Sequence, residues 1–486
     1  MKSRLENRTF QVLPALVACI AIQGVVEAGE SDPSKRYAGA ADRIIRECLA
    51  ENDAWKKMEE LCDGIGHRLS GSEALDKAIA WAVKSMKADG HENVRTEKVM
   101  VPKWVRGRES LHMVKPRDYA LAMIGLGRSV GTPAEGLTAS VVVVRDEEDL
   151  ERKKGRVKGK IVLFNNPMPP YDAETGAGYG RTVRFRSGGP SMVAKLGGVA
   201  CLVRSVTAHS LRSPHTGATR YEEGTAKIPA AAVSTEDAEM MARLTARGRE
   251  VVVTLKMEAR SEGDVPSANV LAELRGSEKP EEIVVIGGHL DSWDTGTGAH
   301  DDGAGCVIAM EALNVLRRLE LTPRRTIRVV LFTNEENGLR GGRQYAEDHA
   351  PELANHVAAI ESDSGAFQPR GYSVQFDNET KQDRAAQQLK EIVRLLEPLK
   401  ATDVNTGHSG ADIGPMKHAG FALLGFRVDG AKYFNYHHSR ADTLDKVDPE
   451  DLSKCVASMA VMSYVLADMP GRLGDPVESP VPASTE

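Results

Sequence analysis

The sequence predicts an α/β protein, a mixed, mostly parallel sheet flanked by helices. Three observations carry this expectation. From Ala268 onward, apolar strand-like runs alternate with stretches of helical periodicity. Between residues 119 and 258 the texture changes to short β-rich runs separated by glycine and proline turns. Residues 35–118 supply helices and one long alternating strand. Alternation of strand and helix favours a sheet covered on both faces, because each helix must bury its apolar stripe against something.

Taken in order, residues 43–61 have helical spacing, with Ile44, Ile45, Leu49, Trp55, Met58 and Leu61 on recurring faces. A glycine- and serine-rich loop, 64–72, separates them from a second helix at 73–88. Residues 94–105 alternate as a strand does. In the middle region, 141–144, 160–164, 200–203 and 251–255 read as strands, and 191–196 and 235–244 as helices. Downstream, strands at 282–288, 326–333, 357–360 and 421–428 are interleaved with helices at 303–319, 339–348 and 381–396. Asp448-Pro449-Glu450-Asp451 opens the last helix, with an N-cap, a proline in the first turn and acidic residues at the positive end of the helix dipole. The tail, 471–486, is rich in Pro and Ser and is expected to be disordered.

A chain of 486 residues exceeds what one hydrophobic core usually holds. The division expected is a discontinuous main domain, 35–118 and 259–470, interrupted by an inserted domain, 119–258. Sixty-three Lys and Arg stand against 69 Asp and Glu without long single-sign runs, so no basic face for nucleic acid is expected. Aromatics at 5% argue against a stacking platform. Residues 1–28 read as a signal peptide: Lys2, Arg4 and Arg8, an uncharged stretch from Thr9 to Val26, then a small-residue cleavage pattern ending at Ala28. This implies a secreted or periplasmic protein with no integral membrane span once the signal is removed. Two alternatives stand beside it. A membrane anchor is weakened by Gln11, Pro14 and Gln23, and lipid attachment through Cys19 is suggested by Leu16-Val17-Ala18-Cys19. The other five cysteines contain no CxxC pair, and Cys48 with Cys62 is the one pairing left open for a disulfide.

Chemistry-bearing residues recur where strands end. His289 and Asp291 follow the first downstream strand, and Asp301 and Asp302 precede the next helix. Glu335 and Glu336 close the second strand, Asp363 follows the third, and His437 and His438 come after the last. Ligands of open α/β sheets bind at the carboxyl ends of strands, so these groups can converge in one crevice. Clustered carboxylates need a compensating cation, and histidines mixed with carboxylates suit zinc. Each piece alone has a plainer reading as a helix cap or surface group. No HExxH helix, GxSxG elbow, GxGxxG turn or P-loop lysine is present.

Together, the order, spacing and context of these motifs resemble the M28 family of co-catalytic zinc exopeptidases. The likeness extends over nearly the whole mature chain, from Leu61-Cys62-Asp63 through Ser72 to the last helix. It implies a zinc-exopeptidase (phosphorylase/hydrolase-like) fold with an inserted β-rich domain of the protease-associated type. It also implies two zinc ions per chain, with His289 and Asp363 holding one, Glu336 and His438 the other, and Asp301 bridging them. The resemblance favours Asp301 over Asp302, since Asp301 lies four residues before Gly305 as the family's bridging Asp precedes its glycine, and His438 over His437, since His438 stands four residues before Asp442 as in the family's His-Ser/Thr-x-x-Asp-Thr pattern. His437 stays open as an alternative. Asp291 would accept the second ring N–H of His289, and Glu335 would be the general base acting on water. The implied activity is hydrolysis of dipeptides or terminal residues of short peptides, by an enzyme whose relatives form homodimers. The alternatives are an M28-like binding or receptor protein without activity, and a single-zinc glutaminyl cyclotransferase. Secondary candidates for the cleft are His408, Asp412, Arg427, Tyr433 and Tyr436, with Arg181, Arg184 and Arg186 reaching it from the inserted domain.

Overall fold

The structure, a computed structural model, describes residues 32–476. The expected signal peptide, Cys19 and the tail beyond residue 476 lie outside the described residues. Two mixed eight-stranded sheets organise the chain. The first runs, edge to edge, Glu92–Val105, Arg260–Leu274, Arg325–Phe332, Lys279–His289, His356–Glu361, Ala422–Val428, Pro369–Gln375 and Asp403–Thr406. Its centre is parallel: Lys279–His289 pairs in parallel with Arg325–Phe332 and with His356–Glu361, which pairs in parallel with Ala422–Val428. Parallel pairing brings the carboxyl ends of these strands to one edge of the sheet, and the site lies there.

Both faces of this sheet are covered, and side-chain alternation shows it. Val284 and Ile286 face one core with the helices Ala38–Ala50, Ala54–Cys62, Glu73–Ala88, Ala304–Arg318 and Pro449–Asp468. Ile283 and Val285 face the other, with Tyr345, Ile413, Met416 and Phe421. Strands buried on both faces read as continuous apolar runs rather than alternating ones. The helix Pro449–Asp468 buries Leu452, Val456, Met459 and Leu466 among others, each large side chain contributing roughly 1.5–3 kcal/mol. Cys48 and Cys62 are buried in this core as free thiols, so that pairing is not formed.

The single helix expected at 43–61 is two, Ala38–Ala50 and Ala54–Cys62. Asn52 causes the break: its amide donates to the Cys48 carbonyl at 2.6 Å, and its Oδ1 accepts from the Ala54 N–H at 3.0 Å. Such local side-chain bonds compete with helix continuation. The helix Glu73–Ala88 has the expected bounds, with Ser72 accepting from the Leu75 N–H. The end of the chain is more ordered than expected as far as it is described: Leu473 is buried in the main core, and Arg472 pairs with Glu282 at 3.0 Å.

The second sheet is built from strands lying between Glu109 and Met257. Its two cores take Leu111, Val253 and Leu255 on one side and Val162, Phe164 and Val203 on the other. Trp293, from the loop after Lys279–His289, is buried in the first of these cores. The two sheets are therefore interlocked by a side chain placed two residues beyond Asp291. No helix among the described residues is long and apolar enough to cross a membrane.

Candidate active site

His289 is the last residue of its strand, and its neighbours fix it from three directions. Its N–H donates to Asp302 Oδ2 at 3.0 Å, and its ring Nδ1 lies 2.9 Å from the Asp291 carbonyl oxygen. A carbonyl only accepts, so Nδ1 carries a proton and Nε2 is the ring atom left to face the cluster. Nε2 points at two carboxylates, Asp301 Oδ1 at 3.3 Å and Asp363 Oδ1 at 3.5 Å. On the other side, His438 Nε2 lies 2.9 Å from Glu336 Oε2 and 3.2 Å from Asp301 Oδ2. The two oxygens of Asp301 thus face two different histidines.

The expected role of Asp291 needs correcting. Its carboxylate is 3.8 Å from His289 Nδ1, and the backbone carbonyl takes that proton instead. Two residues after a strand end, the carbonyl is nearer to the ring than the side chain is. The carboxylate serves a different neighbour: Oδ1 accepts the Glu335 N–H at 3.0 Å, and Oδ2 accepts the Ser70 hydroxyl at 3.0 Å. Asp291 therefore orients the turn that carries Glu335 and Glu336.

Asp302 and His437 also have donor atoms close to the cluster. Those of His289, Asp302 and Asp363 lie within 4.8 Å of one another, as do those of Asp301, His437 and His438. Both carboxylate oxygens of Asp302 are, however, engaged by backbone N–H groups, of His289 and of Gly305 at 3.1 Å. His437 Nε2 is 3.8 Å from Asp301, and its ring lies flat on that of His438, with centroids 3.5 Å apart. Asp301 and His438 are the better placed of each pair.

Electrostatics show what the cluster can hold. Asp301 Oδ2, Glu336 Oε1 and Asp363 Oδ1 are buried oxygens without a hydrogen-bond partner, an expensive arrangement for carboxylates unless a cation meets them. Burial opposes charge on His289 and His438, but the facing carboxylates outweigh it and push both pKa values well above the usual range. Burial, reinforced by the charge of Asp301, raises Glu336 to about 7. Burial also raises Glu335 well above the carboxylate range, and the charges of Asp363, Glu336 and Asp291 add to it. Two imidazoles and three carboxylates with free lone pairs fit divalent zinc.

Supporting residues come from places where the sequence shows only weak signals. Asp442 accepts the backbone N–H groups of His300 at 2.8 Å and Asp301 at 3.2 Å, and so sets the Asp301 carboxylate in place. Arg68, fully buried in the early glycine-serine loop, donates to the carbonyls of Leu290, Gly66, Thr297 and Gly298 at 2.6–2.9 Å. It ties that loop to both sides of the site, yet nothing in its surroundings except the loop composition marks it. Trp293 packs edge-on to His438, with centroids 5.7 Å apart, and a Cβ at Gly127 would overlap its ring.

The cluster opens into a cavity of about 830 Å³. Arg427, Tyr433 and His408 line it, and of the three arginines expected from the middle region only Arg186 does. Arg184 instead pairs with Glu147 at 3.0 Å, and Arg181 is exposed away from the cavity. Tyr436 stacks on His300 outside the lining. Asp412 is buried without a partner for either carboxylate oxygen, so it does not cap the following segment.

A sheet with these groups at its carboxyl edge is the architecture of a metallopeptidase, and comparison with known proteins gives the class: the family model for peptidase family M28 matches residues 269–463. The chain belongs to this family and is a metallopeptidase of it. Its similarity to carboxypeptidase Q of Rattus norvegicus is 44% identity over 471 residues, covering 96% of this chain and 93% of the relative. The human carboxypeptidase Q is 43% identical over 420 residues, 86% of each chain. Among solved structures, a peptidase M28 precursor from Shewanella amazonensis SB2B superposes with a TM-score of 0.85 at 36% identity, covering 92% of this chain and all of the other.

Proposed function

We propose that this chain is an exported di-zinc exopeptidase acting on dipeptides or the terminal residues of short peptides. The observation that carries the reading is Asp301, whose two oxygens face His289 and His438 separately. His289 and Asp363 would hold one zinc, Glu336 and His438 the other, and Asp301 both. When bound, a zinc pair lowers the pKa of water and stabilises negative charge on the carbonyl under attack. Glu335 accepts the proton of the attacking water at its carboxylate and delivers it to the nitrogen of the departing amine. Asp291 holds Glu335 in register through the Glu335 N–H. No serine or cysteine nucleophile is required.

The cavity supports a substrate with a free carboxylate. Arg128, Arg186, Arg220, Arg343 and Arg427 line it, whereas its lining acids are Asp301, Glu335, Glu336 and Asp363, all in the cluster itself. The side chains of Arg128, Arg220, Arg343 and Arg427 pair with no carboxylate among the described residues. Arginine is well suited to bidentate capture of a peptide carboxylate. Tyr171, Tyr179 and Arg220 come from the middle region, which we read as a protease-associated-type insertion over the cavity that restricts it to small substrates. The test is metal analysis together with hydrolysis of free, amino-blocked and carboxyl-blocked dipeptides. Two zinc ions per chain are expected, with activity lost on chelation and KM raised most by the carboxyl block. One zinc per chain with cyclisation of amino-terminal glutamine would overturn the reading. Amino-terminal sequencing of the exported protein, expected to begin near Gly29, tests the signal peptide.

A further inference from the structure

The turn that carries His438 is braced from outside the catalytic sheet. His438 has φ of +60°, in the left-handed region that non-glycine residues seldom occupy. Three contacts with His215 and Thr216, residues of the second-sheet region, meet this turn. The Thr216 N–H donates to the His438 carbonyl at 2.9 Å, His215 Nδ1 lies 2.6 Å from the His437 carbonyl oxygen, and His438 Nδ1 lies 3.3 Å from the Thr216 carbonyl oxygen. A carbonyl only accepts, so the His215 ring carries its proton on Nδ1, whereas His438 Nδ1 faces both the Thr216 carbonyl oxygen and Arg186 Nη1, the latter at 3.2 Å. For His438, these contacts on the Nδ1 side leave Nε2 facing Glu336 and Asp301. For His215, Nε2 is buried without a partner, so the bond to His437 is the one hydrogen bond its ring makes.

The brace is itself rigidly held. The His215 N–H donates to Ser205 Oγ at 2.9 Å, and that hydroxyl donates to the Val233 carbonyl at 2.7 Å. Thr216 Oγ1 donates to the Gly125 carbonyl at 2.8 Å, and Ala218 is bridged to Gly127. His215, Thr216 and Ser205 are all buried. Arg186 Nη1 lies 3.2 Å from both the Thr216 carbonyl oxygen and His438 Nδ1, so it braces the same contact.

We propose that His215 is a positioning residue for His438: by donating its ring proton to the His437 carbonyl it holds the 437–438 turn in its left-handed form and aims the His438 Nε2 at the metal position. The second-sheet region then does more than roof the cavity, because it sets the geometry of half the metal site. This inference rests on the reading of His438 as a zinc ligand, and the experiment separates the two.

Zinc dissociation constants are measured by chelator competition on the full chain, together with the melting temperature of the metal-free protein. His215→Leu keeps bulk and removes the donor, whereas His215→Asn keeps an N–H at the same number of bonds from the backbone. His215→Leu is expected to weaken one of the two zincs by about 10- to 100-fold, the usual size of an outer-sphere effect, with the other unchanged, and His215→Asn to restore most of the affinity. Equal weakening of both zincs, unchanged affinities in His215→Leu, or an Asn variant no better than Leu would each overturn the proposal. Should the Leu variant not fold, His215→Gln, which displaces the donor by one bond, is expected to lose affinity at the same single zinc, and unchanged binding would overturn the proposal equally. His438→Ala tests the underlying reading: if it still binds two zincs, His438 is no ligand. Loss of one zinc there, with His215→Leu unaffected, refutes the positioning role alone.

Discussion

The two halves of the candidate site are held by different means. His289 ends the central strand and Asp363 follows the neighbouring parallel strand by two residues, so their separation is set by one sheet's hydrogen-bonded register. Glu336 sits on a turn begun by Asn334, which has φ of +65°, and His438 lies ten residues beyond its strand, on a turn braced by His215 and Thr216. In one half the geometry of the proposed ligands is a property of the sheet. In the other it depends on two regions of the chain remaining docked. Strand ends impose positions cheaply because the ladder already exists, whereas a turn has to be over-determined by its surroundings to hold a sparsely populated conformation.

Four substitutions test whether the halves differ in this way. Glu335→Gln lies between the halves and removes the proton carrier while leaving every proposed ligand. We expect kcat to fall about 10²- to 10⁴-fold with two zincs retained, and zinc loss in this variant would show that Glu335 belongs to the binding set. Trp293→Ala empties a buried site in the second-sheet core and removes the ring against His438. A loss of about 3–5 kcal/mol in denaturant unfolding is expected, with zinc weakened only on the His438 side. Equal weakening on both sides would erase the distinction between the halves.

Glu282→Gln is a control distant from both halves. Burial opposes the charge on Glu282, but bonds and charge from Arg325 and Arg472 outweigh it and lower its pKa from 4.5 to about 2. A folded value below the unfolded one means that the carboxylate stabilises the fold fully above about pH 4.5 and that this is lost as pH falls toward 2. At pH 7 the variant is expected to lose about 1.5–3 kcal/mol, with the gap to wild type closing below pH 4.5 and zinc affinity unchanged. A gap constant with pH would mean that Gln loses packing rather than charge. Asp442→Asn has the smallest effect. The two Asp442 oxygens each accept one backbone N–H, and Asn replaces one of them with an NH2 group that cannot accept; about a 10-fold loss of zinc affinity on both sides is expected, because Asp301 faces both histidines. A one-sided loss would show that Asp301 does not connect them.

Much of this arrangement is legible before folding is considered. Residues able to hold metal stand just after strand-like runs, and the parallel sheet expected from alternating elements brings those ends together. Hydrogen bonds occupy both oxygens of Asp302, which supports proposing Asp301 in its place. Other features are not legible. The strands Pro369–Gln375 and Asp403–Thr406 are short and lack an apolar period, so they read as loop. Arg260–Leu274 begins with a polar, mostly exposed stretch paired to Glu92–Val105, where no buried face imposes alternation. The Asn52 break depends on a side-chain bond stronger than local helix propensity.

Residue types and local periods decided the class of fold, the metal-binding chemistry and the order of the groups along the chain, because strand and helix signals are local and each donor sits next to one. Tertiary structure alone decided which oxygen of Asp301 meets which ring, that the Asp291 carboxylate serves Glu335 rather than His289, and that His215 grips the turn of His438 from 222 residues away. Contacts between residues so far apart leave no periodic trace in the sequence. They arise from how two independently patterned sheets dock.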